Sequence, residues 1–158
     1  MTVTAYYQPY FVQAALGLKN ANLSTDTLNV GLLATSGLAS RTVTSAYQFV
    51  SQLLANNGSA LSEVAGGGYS RQSLTGVSWA YPGGSSLVVT YTANNPSWAG
   101  ATWSTYYAWL HDETDSSGTD ATRPLMVIWD LGGVQTVSGQ TFTLAINAAG
   151  IATFTMAQ

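Results

Sequence analysis

Residues 102–111 of the chain read TWSTYYAWLH, and this stretch decides the fold class. Its residue types alternate, so that one face carries Trp103, Thr105, Tyr107, Trp109 and His111. The opposite face carries Ser104, Tyr106, Ala108 and Leu110. A period of two residues is typical of a β-strand, because successive side chains of a strand point to opposite faces. We therefore predict a strand whose tryptophan face packs against a protein core or a partner.

Segments on both sides of this strand also have residue patterns that predict β-strands. Residues 125–131, LMVIWDL, are nearly all apolar, which is typical of a strand buried on both faces. Other segments rich in β-branched and aromatic residues are 28–35, 69–79, 86–93, 141–146 and 151–156. Turn residues such as those at 82–84 separate them. The pattern predicts a mainly β protein, an antiparallel β-sandwich or jelly-roll-like fold, in one domain over residues 1–158.

The N-terminal third is predicted to add one or two short helices. Pro9 suits the first turn of a helix, and apolar residues recur at helical spacing through residues 9–19. A second helix is predicted to begin at the capping pattern Ser45–Gln48 and to end at Asn57–Gly58. The segment from about residue 1 to 10 is predicted to be an extended arm. This arm either docks on a neighbouring subunit or pairs as an edge strand of its own sheet.

Charged residues are scarce. The chain has 4 Lys and Arg and 7 Asp and Glu, or 7% of its residues, against about 25% in an average globular domain. Four scattered cations cannot form the basic surface that binds a nucleic-acid backbone. The apolar run Tyr10–Leu18 is too short to span a bilayer and follows no basic residue, so we expect no membrane association. The absence of Cys excludes disulfides and Cys-based metal or redox sites.

The sequence offers no catalytic constellation. The one histidine, His111, would have to act as the base of a Ser-His-Asp arrangement, yet no Gly-x-Ser-x-Gly turn accompanies it. The Gly66–Gly68 run lacks the Gly-Lys-Ser/Thr ending of a phosphate-binding loop. We therefore expect no catalytic residue, no cofactor and no enzyme activity.

Four of the seven acidic residues fall in one loop, HDETDSSGTD at 111–120. Asp112, Asp115 and Asp120, with Gly118, could surround a Ca²⁺ ion, because hard cations prefer several oxygen ligands. Their spacing does not match an EF-hand loop, however. We favour a solvated hairpin tip where the few charges collect, with no metal bound.

A shortage of charge combined with many aromatic residues is typical of subunit interfaces. We predict an interface through aromatic residues of the N-terminal segment and the central strand. These candidates are Tyr6, Tyr7, Tyr10, Phe11, Trp98, Trp103, Tyr107 and Trp109. The same side chains could instead form a sandwich core, or the tryptophans could form a platform for stacking sugar rings.

The order of several short motifs resembles that of a known family. Gly68-Tyr69-Ser70-Arg71 is followed by the aromatic segment Trp98–Thr114. The strand Pro124–Gly133, ending in Asp-Leu-Gly-Gly, and the closing segment Phe142–Phe154 come next. In this order the chain is similar to small structural proteins of tailed bacteriophages, including capsid decoration or cement proteins.

The resemblance implies a role in the virion. It implies a decoration protein on the outer surface of the phage head, made in the host cytoplasm, that stabilises contacts between major capsid subunits. Its partners would be the major capsid protein and copies of itself, in a homo-oligomer, and the family supplies no catalytic motif. Two alternatives stay open: a tail- or fibre-associated protein that binds a host-surface glycan, and a carbohydrate-binding module.

Overall fold

The computed structural model describes residues 4–19, 21–34, 47–55, 61–80, 88–146 and 150–155. Its helices are α1 (Pro9–Ala15) and α2 (Val50–Ala55). Its strands are β1 (Thr4–Tyr7), β2 (Leu28–Ala34), β3 (Gln72–Ser73), β4 (Ser78–Ala80), β5 (Val88–Thr92), β6 (Ser97–Asp112), β7 (Leu125–Thr143) and β8 (Ala152–Thr155).

The strands form two antiparallel sheets. The larger sheet has five strands in the order β1-β7-β6-β2-β3, and the smaller has three in the order β4-β5-β8. The predicted mainly β class is confirmed, with two short helices in the described ranges and a sandwich-like arrangement. The jelly-roll connectivity stays a prediction.

Apolar side chains of the larger sheet contribute to two cores. One core lies between the sheets and joins residues such as Phe11, Tyr91 and Leu110. The other lies on the opposite face, where Leu53 of α2 packs with Trp109 and neighbouring side chains. A sheet covered on both faces explains why residues 125–131 are nearly all apolar.

A bulge at Tyr106 reverses the alternation that the sequence predicted for residues 102–111. Thr105 pairs with Ala34 and Tyr107 with Leu33, so Tyr106 is an extra residue opposite β2. A one-residue shift moves every later side chain to the other face of the strand. Trp103 therefore belongs to the core between the sheets, while Tyr107 and Trp109 belong to the core under α2.

The predicted strand over residues 69–79 is two short strands in different sheets. β3 pairs with β2, and β4 pairs with β5. Between them Gly76 has a φ of 63°, a left-handed conformation that turns the chain from one sheet to the other. The predicted helix over 9–19 is shorter than expected and ends at Ala15. Ser45, Asn57–Gly58 and the turn at 82–84 lie outside the described residues.

The described part of the predicted arm is an edge strand. β1 pairs with residues 127–130 of β7, with Thr4 opposite Asp130 and Tyr7 opposite Val127. Residues 4–7 of the arm therefore pair as an edge strand of the chain's own sheet, which is the second of the two alternatives.

β6 and β7 extend well beyond the rest of their sheet. Ser97 pairs with Thr143 at one end of the extension and Thr105 with Gln135 at the other. We call this two-stranded extension, Ser97–Thr105 and Gln135–Thr143, the ribbon. Its β7 strand is mostly exposed, unlike the buried stretch 125–129 that precedes it.

Candidate functional site: a charged network and an uncharged cleft

Five of the eight predicted interface residues are core residues. Their side chains are buried within the chain itself, with exposed fractions of 9% or less: Phe11, Trp98, Trp103, Tyr107 and Trp109. A side chain without exposed surface has no area to give to a partner. The structure places these five side chains in the chain's own core, which is the core alternative, and an interface of this chain stays a prediction. It also removes them as a platform for sugar rings.

The other three candidates, Tyr6, Tyr7 and Tyr10, keep some exposed surface. Tyr7 is 38% exposed, and its hydroxyl donates to the carbonyl oxygen of Ile151 at 2.7 Å. Its ring also stacks on Phe11, with ring centres 5.6 Å apart. The hydroxyl of Tyr10 donates to Asp115 at 2.6 Å. These side chains are therefore held by the fold and only partly available to a partner.

Two arginines and three acids form a network that the sequence did not reveal. Arg71 donates to both carboxylate oxygens of Glu63, at 2.7 and 2.8 Å, and of Asp120, at 2.7 and 3.0 Å. Arg123 donates to Asp120 at 2.8 Å and to Glu113 at 2.6 and 2.9 Å. Paired contacts of this kind are the stronger form of ion pair. We call these five residues the charged network.

The charged network ties the β6–β7 connection to the body of the protein. The guanidinium of Arg71 lies over the ring of Trp109, 5.4 Å from its centre. Backbone N–H groups of Val50 and Ser51 donate to the carbonyl oxygens of Arg123 and Asp120, which attaches the same loop to α2. The network side chains are only 18–30% exposed. The fold therefore holds Glu113 and Asp120 of this loop, whereas residues 117–119 are exposed, as the solvated-tip interpretation expected.

The candidate Ca²⁺ ligands do not converge. Asp120 is held by Arg71 and Arg123, whereas Asp112 and Asp115 lie near the hydroxyl of Tyr10. In the ranges that the structure describes, no group of three or more His, Asp and Glu side chains is placed to hold a metal ion.

His111 and Asp112 lie beside the charged network and are fully buried. Burial, followed by the Arg71 charge, lowers the pKa of His111 to about 4, although a weak contact of its Nε2 with Glu113 at 3.2 Å opposes this. Burial raises the pKa of Asp112 to about 6, although its Oδ1 accepts from the N–H groups of Thr114 and Asp115. Neither side chain reaches the surface, so neither can touch a substrate in this conformation.

An open cleft lies between the two sheets at the β1 edge. Its volume is about 650 Å³, within the range of small-ligand sites. Its walls combine aromatic side chains with amide and hydroxyl groups, including Tyr7, Trp129, Gln135, Phe142 and Thr143. None of the described residues that line it is charged. The cleft therefore suits an uncharged ligand with both apolar and hydrogen-bonding parts.

Neither described helix has the length and apolar character that a membrane crossing requires. No protein-family model matches the chain, and searches of curated proteins and of solved structures also found no match.

Proposed function

We propose that this chain is a structural protein of a tailed-bacteriophage particle. In this proposal it is a capsid decoration, or cement, protein that binds the outside of the head and stabilises contacts between major capsid subunits. The order of motifs from Gly68 to Phe154 supports the class of protein.

The distribution of charge is the observation that carries the proposal. Two of the four cations and three of the seven acids are paired in the charged network. No charged side chain follows Asp130 in the sequence, so the β7 strand of the ribbon and all of β8 are neutral. Depletion of charge is typical of surfaces that are covered in an assembly. A neutral, partly aromatic surface of this kind suits close packing against a shell and against further copies.

Copy number in purified particles tests the proposal. A decoration protein is present in a number comparable to that of the major capsid subunit, whereas a tail component is present in a small fraction of that number. Quantitative mass spectrometry with labelled peptides of both proteins measures the ratio. We expect this protein to be present in a number comparable to that of the major capsid subunit. Particle reconstruction should place its density outside the shell. A ratio typical of tail components, or absence from particles, would overturn the proposal.

The uncharged cleft favours a second candidate, a protein that binds a neutral glycan on the host surface. Sugars present apolar C–H faces that pack on aromatic rings and hydroxyls that pair with amide and hydroxyl groups. An array of neutral and acidic glycans, probed with the free protein, tests this function. Binding of a neutral glycan that Gln135→Leu removes and Gln72→Leu retains would support it. No binding, or binding unaffected by Gln135→Leu, would exclude the cleft as a glycan site.

A further inference from the structure

One edge of the ribbon has no partner strand among the described residues. β1 covers β7 only from Val127 to Asp130. Within the described ranges no strand pairs with the outer edge of β7 after Asp130. The side chain of Val134, at the start of this edge, is 56% exposed. Unpaired N–H and C=O groups on such an edge are a template for pairing with another strand.

The opposite edge of the ribbon is already occupied. The N–H of Thr102 in β6 donates to the carbonyl oxygen of Gly67 at 3.1 Å, so the turn at 66–68 lies against this edge. A ribbon with one covered edge and one open edge can add a strand only on its β7 side. Pairing of two such ribbons therefore closes after one contact rather than continuing into a fibre.

The open edge has a defined length. Gly132 and Gly133, both with positive φ, lie in the irregular stretch where β7 leaves the five-stranded sheet. Gly139 is an extra residue between the partners of Ala101 and Thr102, so it ends the regular strand at Ser138. The edge between these two irregularities is Val134–Ser138, VQTVS, of which Gln135–Ser138 pair with β6 in regular register. It contains neither Pro nor Lys, two residues that protect edges in monomeric proteins.

We propose that this edge pairs with the same edge of a second copy of the chain. The two strands run antiparallel about a two-fold axis at Thr136, which places Gln135 opposite the partner subunit's Val137. No charged side chain lies anywhere between Leu131 and Gln158, so the axis brings no like charges together. Gln135 lines the uncharged cleft, and the partner subunit's Val137 lies beside it and covers part of its mouth.

This inference takes its biological setting from the proposed function, because it names the self-contact of a particle protein. The contact is small. Interfaces below about 1,200 Å² belong to weak and transient complexes. We therefore expect a dissociation constant of roughly 0.1–1 mM for the free protein. On a particle, neighbouring copies held close together overcome this weakness by effective concentration.

Charge substitution at the two-fold axis tests the pairing. In Thr136→Lys two ammonium groups face each other, and in Thr136→Glu two carboxylates do, which destabilises a strand pair. Sedimentation velocity of the wild-type protein up to about 1 mM should show a monomer–dimer equilibrium of the strength expected above. Each variant should weaken dimerisation at least about tenfold, and a mixture of both should restore it. Thr155→Lys, an exposed threonine of β8 in the other sheet, should dimerise as the wild type does.

Loss of dimerisation can be distinguished from loss of folding and from failure of the proposed function. Circular dichroism should show that each variant is folded, because Thr136 is exposed and its hydroxyl contacts Ser104 within the described ranges. A wild-type protein that stays monomeric at all concentrations would overturn the inference. So would variants that dimerise normally, or a mixture that does not restore dimers. These measurements use the free protein, whereas the copy number in particles tests the proposed function, so either can fail without the other.

Discussion

His111 and Asp112 should give the protein two opposing responses to pH. Both side chains are buried at the end of β6. The pKa of His111 is lowered from 6.5 to about 4, chiefly by burial, so between these values the unfolded chain binds a proton that the folded chain does not. The pKa of Asp112 is raised from 3.8 to about 6, again chiefly by burial, so here the folded chain binds the extra proton.

The signs follow from proton linkage. Stability rises with pH where the unfolded state binds more protons. His111 therefore reduces the free energy of unfolding as pH falls from 6.5 to about 4. Asp112 increases it as pH falls from about 6 to 3.8. One pKa unit corresponds to about 1.4 kcal/mol, so each effect is at most about 3–4 kcal/mol, and in the wild-type protein the two largely cancel.

Single substitutions should reveal each effect. Asp112→Asn keeps an oxygen that can accept from the N–H groups of Thr114 and Asp115, but it removes the titration. Its free energy of unfolding should fall by about 2–3 kcal/mol more than that of the wild type between pH 7 and pH 4. The free energy of unfolding of His111→Gln should fall less than that of the wild type over the same pH range, by a similar amount. The double variant should follow the wild-type profile.

Urea unfolding, followed by tryptophan fluorescence at several pH values, measures these differences. Comparison of each variant's profile with the wild-type profile cancels the contributions of groups common to all proteins. Single variants whose profiles run parallel to the wild type would refute the reasoning, because they would show that neither buried group has a shifted pKa. Two profiles displaced in the same direction would refute the assigned signs.

Two further predictions concern packing. Trp109→Ala should cost about 3–5 kcal/mol of unfolding free energy in urea titrations, because it empties a fully buried site. A loss below about 1 kcal/mol would contradict its core assignment. Gly31→Ala should also destabilise the protein, because a methyl group there overlaps the Trp109 ring. Part of this loss should disappear in the Trp109→Phe background, whose ring is smaller. Equal losses in both backgrounds would contradict the stated contact.

Local pattern was sufficient to predict the strands but not their ends. The alternation in residues 102–111 lies within β6, and the apolar run 125–131 lies within β7, while the described strand in the predicted segment 86–93 is Val88–Thr92. β6 and β7 continue further because their backbones pair along the ribbon, where polar residues such as Ser104 and Thr136 face each other. Backbone pairing does not depend on hydrophobic alternation, so the sequence pattern carries no sign of it.

The faces of the central strand could not be predicted from the strand alone. Tyr106 becomes a bulge because of the register of β6 with β2, which is a contact between distant segments. This one residue separates Trp103 from Tyr107 and Trp109. The charged network has the same origin, since Arg71 and Arg123 meet Asp120 only after the sheets have formed. The sequence showed that charges were few, but their convergence depends on topology.

The position of the charges, more than their number, connects the fold with the proposed assembly. The charged network secures the loop between β6 and β7 at one end of the hairpin, and the neutral ribbon lies at the other. A long neutral edge would expose a free chain to aggregation. The glycines at 132–133 and 139 limit the open edge to Val134–Ser138, which is too short for strong pairing in solution. In the free protein a contact of this length should form only at concentrations of about 1 mM, whereas on the proposed particle neighbouring copies held close together would strengthen it through effective concentration.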